Sequence, residues 1–331
     1  VKTAGLVYGN ATHHLDHLAP FSSLMGIPLL VTDEGVERLA RDYYPALTVH
    51  YLTELELPDT VVASYDLLYT ALARPMMEEI LFFAQTLRRK KLRTAWLPHG
   101  NSDKGHVTPW MEALKGEEIV LAYGPKMVNF LKEKEIFSSI GQVLEIGNFR
   151  LTYYKRHREF YAKLLPLPTD KPVILYAPTW QDSEGNSSMP DALAILIETL
   201  PLDIHLVIKP HPNLPVPQLS HPNVILLTNF PPIYPLLEVA SGYIGDMSSI
   251  GYDFLEFNRP MVFLNPHRRT PHLYRCGIAL EPEAYGSIYD CLRQPQDHLR
   301  EVRSATAAMT FGQQRPWNTV KQQIKAAISH A

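Results

Sequence analysis

Two histidines in this chain sit in short, stiff contexts that suit acid–base chemistry. His99 lies in Leu97-Pro98-His99-Gly100-Asn101-Ser102-Asp103-Lys104-Gly105, directly after an apolar run that reads as a strand. Gly100 lets the backbone approach a ligand closely or take an unusual angle, and Lys104 follows a few residues on. A histidine there could take a proton from an attacking hydroxyl; a histidine that only caps a loop is the alternative. His211 is held between two prolines in Lys209-Pro210-His211-Pro212. Such a restricted backbone suits a group that must point accurately. Lys209 and His211 could contact a phosphate, or they could form a stiff turn with an exposed ring.

Further candidates also follow apolar runs. Gly245-Asp246-Met247-Ser248-Ser249-Ile250-Gly251-Tyr252-Asp253 reads as strand, polar turn, then helix. Free N–H groups at a helix start beside Ser248 and Ser249 would suit an anion. A serine N-cap without a ligand is the plainer use. No P-loop or dinucleotide fingerprint is present. Thr179 and Trp180, in Tyr176-Ala177-Pro178-Thr179-Trp180-Gln181-Asp182, could line a ligand site or simply pack at a sheet edge. Arg150, after Gly147-Asn148-Phe149, and Arg268, in Pro266-His267-Arg268-Arg269, could each meet a phosphate or pair with a surface acid. His13 and His17 would share a helix face, with His14 and Asp16 beside them. A metal site is conceivable there, but no H-E-x-x-H pattern or second ligand cluster supports one. The modest role is lining the acceptor side, and no metal is expected. Leu87-Arg88-Arg89-Lys90-Lys91-Leu92-Arg93 is the dense basic run. It complements a helix C-terminus, or it attracts an anionic lipid surface weakly.

These residues need a scaffold that gathers strand ends. Strands are expected at Ala4–Tyr8, Ile27–Thr32, Thr48–Leu52, Val61–Tyr65, Arg93–Leu97, Ile119–Tyr123 and Val143–Ile146. Helices are expected at Glu34–Tyr43, Pro75–Lys91 and Pro125–Lys134. The second half repeats the grammar, with strands at Val173–Tyr176, His205–Ile208, Val224–Leu227, Tyr243–Gly245 and Met261–Leu264. Alternating strands and helices imply an α/β fold with parallel sheets. Two Rossmann-like, doubly wound domains are expected, 1–149 and 150–331, facing a cleft, with the last helix crossing back to the first domain. Ligands in such sheets bind outside the carboxyl ends of the strands.

Composition fits. The chain has 331 residues, 46% hydrophobic and 20% charged, enough for two cored domains. A formal charge of −3 argues against a nucleic-acid binder. Cys276 and Cys291 cannot build a disulfide framework, which suits a reducing cytosol. No apolar run reaches the ~20 residues that span a bilayer. The first residues read as a strand rather than a signal peptide.

Taken in order, the motifs resemble the CDP-glycerol glycerophosphotransferase family, which builds teichoic-acid-type poly(glycerol phosphate). The set is His99-Gly100 with Lys104, Gly147-Asn148-Phe149-Arg150, Tyr176-Ala177-Pro178-Thr179-Trp180, Lys209-Pro210-His211-Pro212, Asp246-Met247-Ser248-Ser249 and Phe263-Leu264-Asn265-Pro266. It covers about residues 95–270. The resemblance implies a GT-B fold and a role in cell-envelope or capsule biogenesis. It implies transfer of glycerol phosphate, or a related alditol phosphate, from a CDP-activated donor to a hydroxyl acceptor on a polymer or glycolipid. CMP would be released without a cofactor. By resemblance His99 is the base and His211 binds the donor pyrophosphate. Ser248 and Ser249 would hold donor phosphate, and Asp246 would orient the turn or ligand hydroxyls. Phe149, Asn101 and Met247 depart from the residues usual in the family. A nucleotide-sugar glycosyltransferase or epimerase on the same scaffold is the alternative, and a non-catalytic nucleotide- or polymer-binding protein is a second. The expected location is cytoplasmic, with weak attachment to the inner face of the membrane.

Overall fold

The computed structural model describes residues 1–104, 111–165, 167–168, 170–181, 187–215 and 218–330. Gly105 and Asp182 of the sequence motifs lie outside the described residues.

Along the chain the first elements are β1 Thr3–Val7, α1 Thr12–Met25, β2 Leu29–Val31, α2 Glu34–Tyr43, β3 Val49–Tyr51, α3 Leu57–Ser64 and β4 Leu67–Thr70. Then come α4 Arg74–Arg88, β5 Arg93–Trp96, β6 Ile119–Ala122, α5 Pro125–Glu133, β7 Gln142–Glu145, α6 Phe149–Arg156 and α7 Arg158–Leu164. The rest are β8 Val173–Tyr176, α8 Met189–Glu198, β9 His205–Ile208, β10 Val224–Leu226, α9 Tyr234–Val239, β11 Ala240–Gly245 and α10 Ile250–Phe254. They end with β12 Met261–Leu264, β13 Ile278–Leu280, α11 Ile288–Arg293, α12 Arg300–Phe311 and α13 Trp317–His330.

The chain forms two compact units. The first is Val1–Asn101, Gly105–Arg158 and Met309–Ala331; the second is Ser102–Lys104 and Glu159–Ala308. The first unit therefore runs past residue 149, the boundary expected from sequence. Among the described residues its sheet has seven strands in the order β3-β2-β1-β4-β5-β6-β7. Every pairing is parallel. The second unit holds a six-stranded parallel sheet, β10-β9-β8-β11-β12-β13. The strand order reverses between β1 and β4 in one sheet and between β8 and β11 in the other, the position where doubly wound folds bind ligands.

Local chemistry explains most boundaries. α2 is capped by Asp33, whose carboxylate accepts from the Val36 N–H at 2.9 Å. α5 opens with Pro125 in its first turn. Val61–Tyr65, expected as a strand, lies mostly in α3. Leu57, Val61 and Val62 share one buried helix face over the core of Ala4, Leu6, Leu30 and Leu68. Pro58 in the first turn is the start signal. The strand is the next run, β4. α6 and α7 are separated by a single residue, His157.

The C-terminal residues complete the first unit. Trp317 is buried, donates its indole N–H to the Leu24 carbonyl at 3.0 Å, and meets the rings of Phe21 and Phe149. The Arg93 guanidinium donates to the Ile328 carbonyl at 2.9 Å. Gly124 makes the close approach possible. A Cβ there would sit 2.6 Å from the Phe311 carbonyl carbon and 2.7 Å from the Gly312 nitrogen. Backbone cannot yield as a side-chain tip can. Gly124→Ala is expected to destabilise the protein by about 1–3 kcal/mol, the usual cost of overpacking. A denaturant midpoint equal to that of the unsubstituted protein would contradict this.

Candidate functional site

In the second unit the exits of β8, β9 and β11 carry the candidate donor-binding residues. Asp246, just past β11, is fully buried. One carboxylate oxygen accepts from the Thr179 N–H at 2.8 Å. The other accepts from the Ser188 N–H and hydroxyl, both at 2.9 Å. Since Ser188 gives its proton to Asp246, the Tyr176 hydroxyl donates to Ser188 Oγ, at 2.9 Å. Burial pushes the Asp246 pKa up to about 6, opposed by these hydrogen bonds and by the Lys104 charge. Asp246 thus ties the β8 exit to the β11 exit across the strand-order reversal.

Around that tie, the Lys104 ammonium donates to Thr179 Oγ1. Its neighbour Asp103 accepts from the Tyr252 hydroxyl at 2.5 Å and the Leu273 N–H at 3.0 Å. Lys209 is buried. His211 Nδ1 accepts from the Asn213 N–H at 3.1 Å, so the neutral ring carries its proton on Nε2. The Trp180 ring lies 6.1 Å from His211, tilted by 30°. Ser248 is buried and its hydroxyl accepts from the Ile250 N–H at 3.4 Å. Ser249 is the N-cap of α10 but makes no side-chain cap bond.

Arg268 is exposed and paired with Glu281 at 2.7 Å and Glu283 at 2.9 Å, the surface role weighed for it. The next residue turns inward instead. Arg269 Nη1 lies 3.9 Å from Met247 Sδ. The Asn265 side chain holds the Arg269 backbone through its N–H and carbonyl, each at 2.8 Å. Sequence spacing offered no way to choose between adjacent arginines; the Asn265 bracket makes the choice.

In the first unit, the β1 and β5 exits bring three imidazoles together. The His13 and His14 ring centroids are 4.2 Å apart, His14 and His99 4.6 Å, and His13 and His99 5.8 Å. Burial, then the His13 charge, pushes the His99 pKa down to about 4. Burial lowers His13 too. His13 and His99 are therefore neutral rings near neutral pH, and His99 holds an unprotonated nitrogen. Gly100 takes a φ of 130°, a backbone that only glycine adopts readily.

Arg150 does not serve a phosphate here. It is 2% exposed and engages the buried Asp16 through both carboxylate and carbonyl. His17, which shares a face with His13, turns into the core and bonds the Tyr123 hydroxyl at 2.6 Å. Burial, then Arg150, holds its pKa well below the ordinary value. Among the described residues no group of three or more histidine, cysteine or acidic side chains is arranged to hold a metal ion.

Residues 125–281 match the sequence model of the family described as CDP-glycerol:poly(glycerophosphate) glycerophosphotransferase. No curated protein matches the sequence. Among solved structures, the wall teichoic acid polymerase TagF is 16% identical, with a TM-score of 0.70 over 99% of this chain and 89% of that one. A TagF variant soaked with CDPG is 15% identical with a TM-score of 0.65 over 99% and 89% of the two chains. The UDP-GlcNAc 2-epimerase of Neisseria meningitidis, bound to UDP-GlcNAc, is 12% identical with a TM-score of 0.57 over all of both chains. The fold is accordingly the GT-B-like α/β class, with two Rossmann-like units. Across residues 125–281 the chain carries the sequence pattern of the CDP-glycerol:poly(glycerophosphate) glycerophosphotransferase family, the family its ordered motifs resemble.

Proposed function

We propose that the protein transfers glycerol phosphate from CDP-glycerol to a hydroxyl of a polymeric or lipid-linked acceptor. The observation that carries this reading is the family match. Its span, 125–281, contains Thr179, Trp180, Lys209, His211, Asp246, Ser248 and Ser249, which lie at strand ends of one sheet. The acceptor oxygen attacks the phosphorus that bears glycerol. The new O–P bond forms as the bond to the CMP phosphate breaks, and CMP leaves. His99 takes the acceptor proton. Lys209, His211 and the serines offset charge on the diphosphate oxygens. Asp246 holds the Thr179–Trp180 and Ser248–Ser249 turns in register. His13, His14 and Gly100 line the acceptor side, with Lys104 bracing Thr179.

His99→Ala is expected to lower turnover by roughly 10²–10⁴-fold with the fold intact, the usual worth of a general base. The test is CMP release from CDP-glycerol, with circular dichroism on the same sample; near-normal turnover would remove His99 from this role. A base works unprotonated. With its pKa at about 4, His99 loses activity only as pH falls toward that value, not near the ordinary 6.5. The acid limb of the pH–rate profile reads this directly.

The fold shared with a UDP-GlcNAc 2-epimerase sustains a second reading, a UDP-sugar enzyme. Calorimetry with CDP-glycerol, CDP-ribitol and UDP-GlcNAc separates the two. Binding of UDP-GlcNAc alone would overturn the first.

We also infer contact with an anionic membrane surface. Met76, Phe82, Phe83 and Leu87 of α4 are 50%, 59%, 76% and 83% exposed, and the basic run 88–91 follows them. Among the described residues no helix is long and apolar enough to cross a membrane. Cosedimentation with phosphatidylglycerol vesicles is expected to fall on substituting Phe82 and Phe83 by serine. Equal binding by both forms would remove α4 from the contact.

A further inference from the structure

α1 contains a proline in its interior, Pro20. A helical residue there would send its N–H to the carbonyl four residues earlier, which belongs to Asp16. Pro20 has no N–H to send. The Asp16 carbonyl is instead met by Arg150 Nε at 3.0 Å. The same guanidinium donates through Nη2 to one Asp16 carboxylate oxygen. The other oxygen accepts from the Tyr44 hydroxyl at 2.8 Å and from the Tyr154 hydroxyl. Asp16 is 5% exposed. A carboxylate this buried persists only with its lone pairs satisfied, and here four donors from three residues converge on Asp16. One residue on, His17 bonds Tyr123, so this turn of α1 is anchored on several sides.

The turn before it starts at Ala11, which provides no side-chain cap bond. That first turn carries His13 and His14, ring to ring with His99. It runs directly into the anchored turn, so the course of the helix there bears on where the two rings lie.

We propose that Asp16, gripped by Arg150 at the carbonyl Pro20 leaves open, is the positioning residue that holds His13 and His14 against His99. The functional consequence rests on His99 being the base. Among the described residues the groups facing His99 are His13 and His14 from α1. Behind them stand Asp16 and His17 of α1, Arg150 and Tyr154 of α6, Tyr44 after α2 and Tyr123 after β6. Loosening the first turn admits water to His99 and makes its charged form easier to reach. Its midpoint then rises from about 4 toward the ordinary 6.5.

The test is titration of the imidazole carbon-bound protons by NMR in the full chain. It compares the unsubstituted protein with Asp16→Asn and Tyr154→Phe. The expected result is a His99 midpoint raised by about 1 unit or more. CMP release from CDP-glycerol should show its acid limb moved upward by the same amount and an unchanged donor KM. A purely structural role would lower the melting temperature without moving either midpoint. Should Asp16→Asn fail to fold, Tyr154→Phe removes a single hydrogen bond and decides alone. An unmoved His99 midpoint in a folded variant overturns the proposal. Full activity of His99→Ala would instead remove the base while leaving the NMR result to judge the positioning.

Discussion

A wholly parallel sheet ends all its strands at one edge, and both candidate sites in this chain depend on that constraint. Parallel neighbours need a crossover between them, so each strand must hand the chain to a loop at the same side. In the second unit this gathers Thr179 after β8, Lys209 and His211 after β9, and Asp246 after β11, although 67 residues separate Thr179 from Asp246. In the first unit it gathers His13 and His14 after β1 with His99 after β5. The chemistry arises from strand direction before any side chain is chosen. Loops after strands can vary while the edge they share does not.

Within that arrangement, burial divides the charged groups by task. Asp246 and Asp16 are both carboxylates held out of water, and both are surrounded by donors from distant parts of the chain. Their surroundings differ in one respect. Asp16 faces a guanidinium, while Asp246 is met mainly by neutral donors and is pushed up to about 6. The first is a buried ion pair and the second a carboxylate close to accepting a proton. Each leaves buried donors stranded if removed, a cost larger than the net worth of the bonds themselves.

The sequence was most informative where backbone restriction marks a strand end. Pro98 and Gly100 around His99, and Pro210 and Pro212 around His211, point out those two rings without any knowledge of contacts. It was least informative where burial decides. Arg150 follows a glycine turn just as a phosphate-binding arginine would, and nothing local reveals that its partner is Asp16, 134 residues away. Arg268 and Arg269 have the same side chain, and only the Asn265 hydrogen bonds distinguish them. Val61 and Val62 misled for a different reason. A short apolar run has no period of its own, and Leu57 four residues earlier was needed to make it a helix face. The alternation of elements, by contrast, repeats over the whole chain, so the fold class survived that local error.

The return of Met309–Ala331 to the first unit separates the order of the residues from the order in which the units can be finished. Phe21, Phe149 and Leu24 wait for Trp317. The first unit therefore cannot be completed from its contiguous residues before Glu159 alone, because α13 supplies part of its aromatic core. The second unit, apart from the short Ser102–Lys104 segment, is continuous. A chain cut before Trp317 would leave Phe21 and Phe149 without that neighbour, and uncovered apolar surface is what makes incomplete domains prone to aggregate.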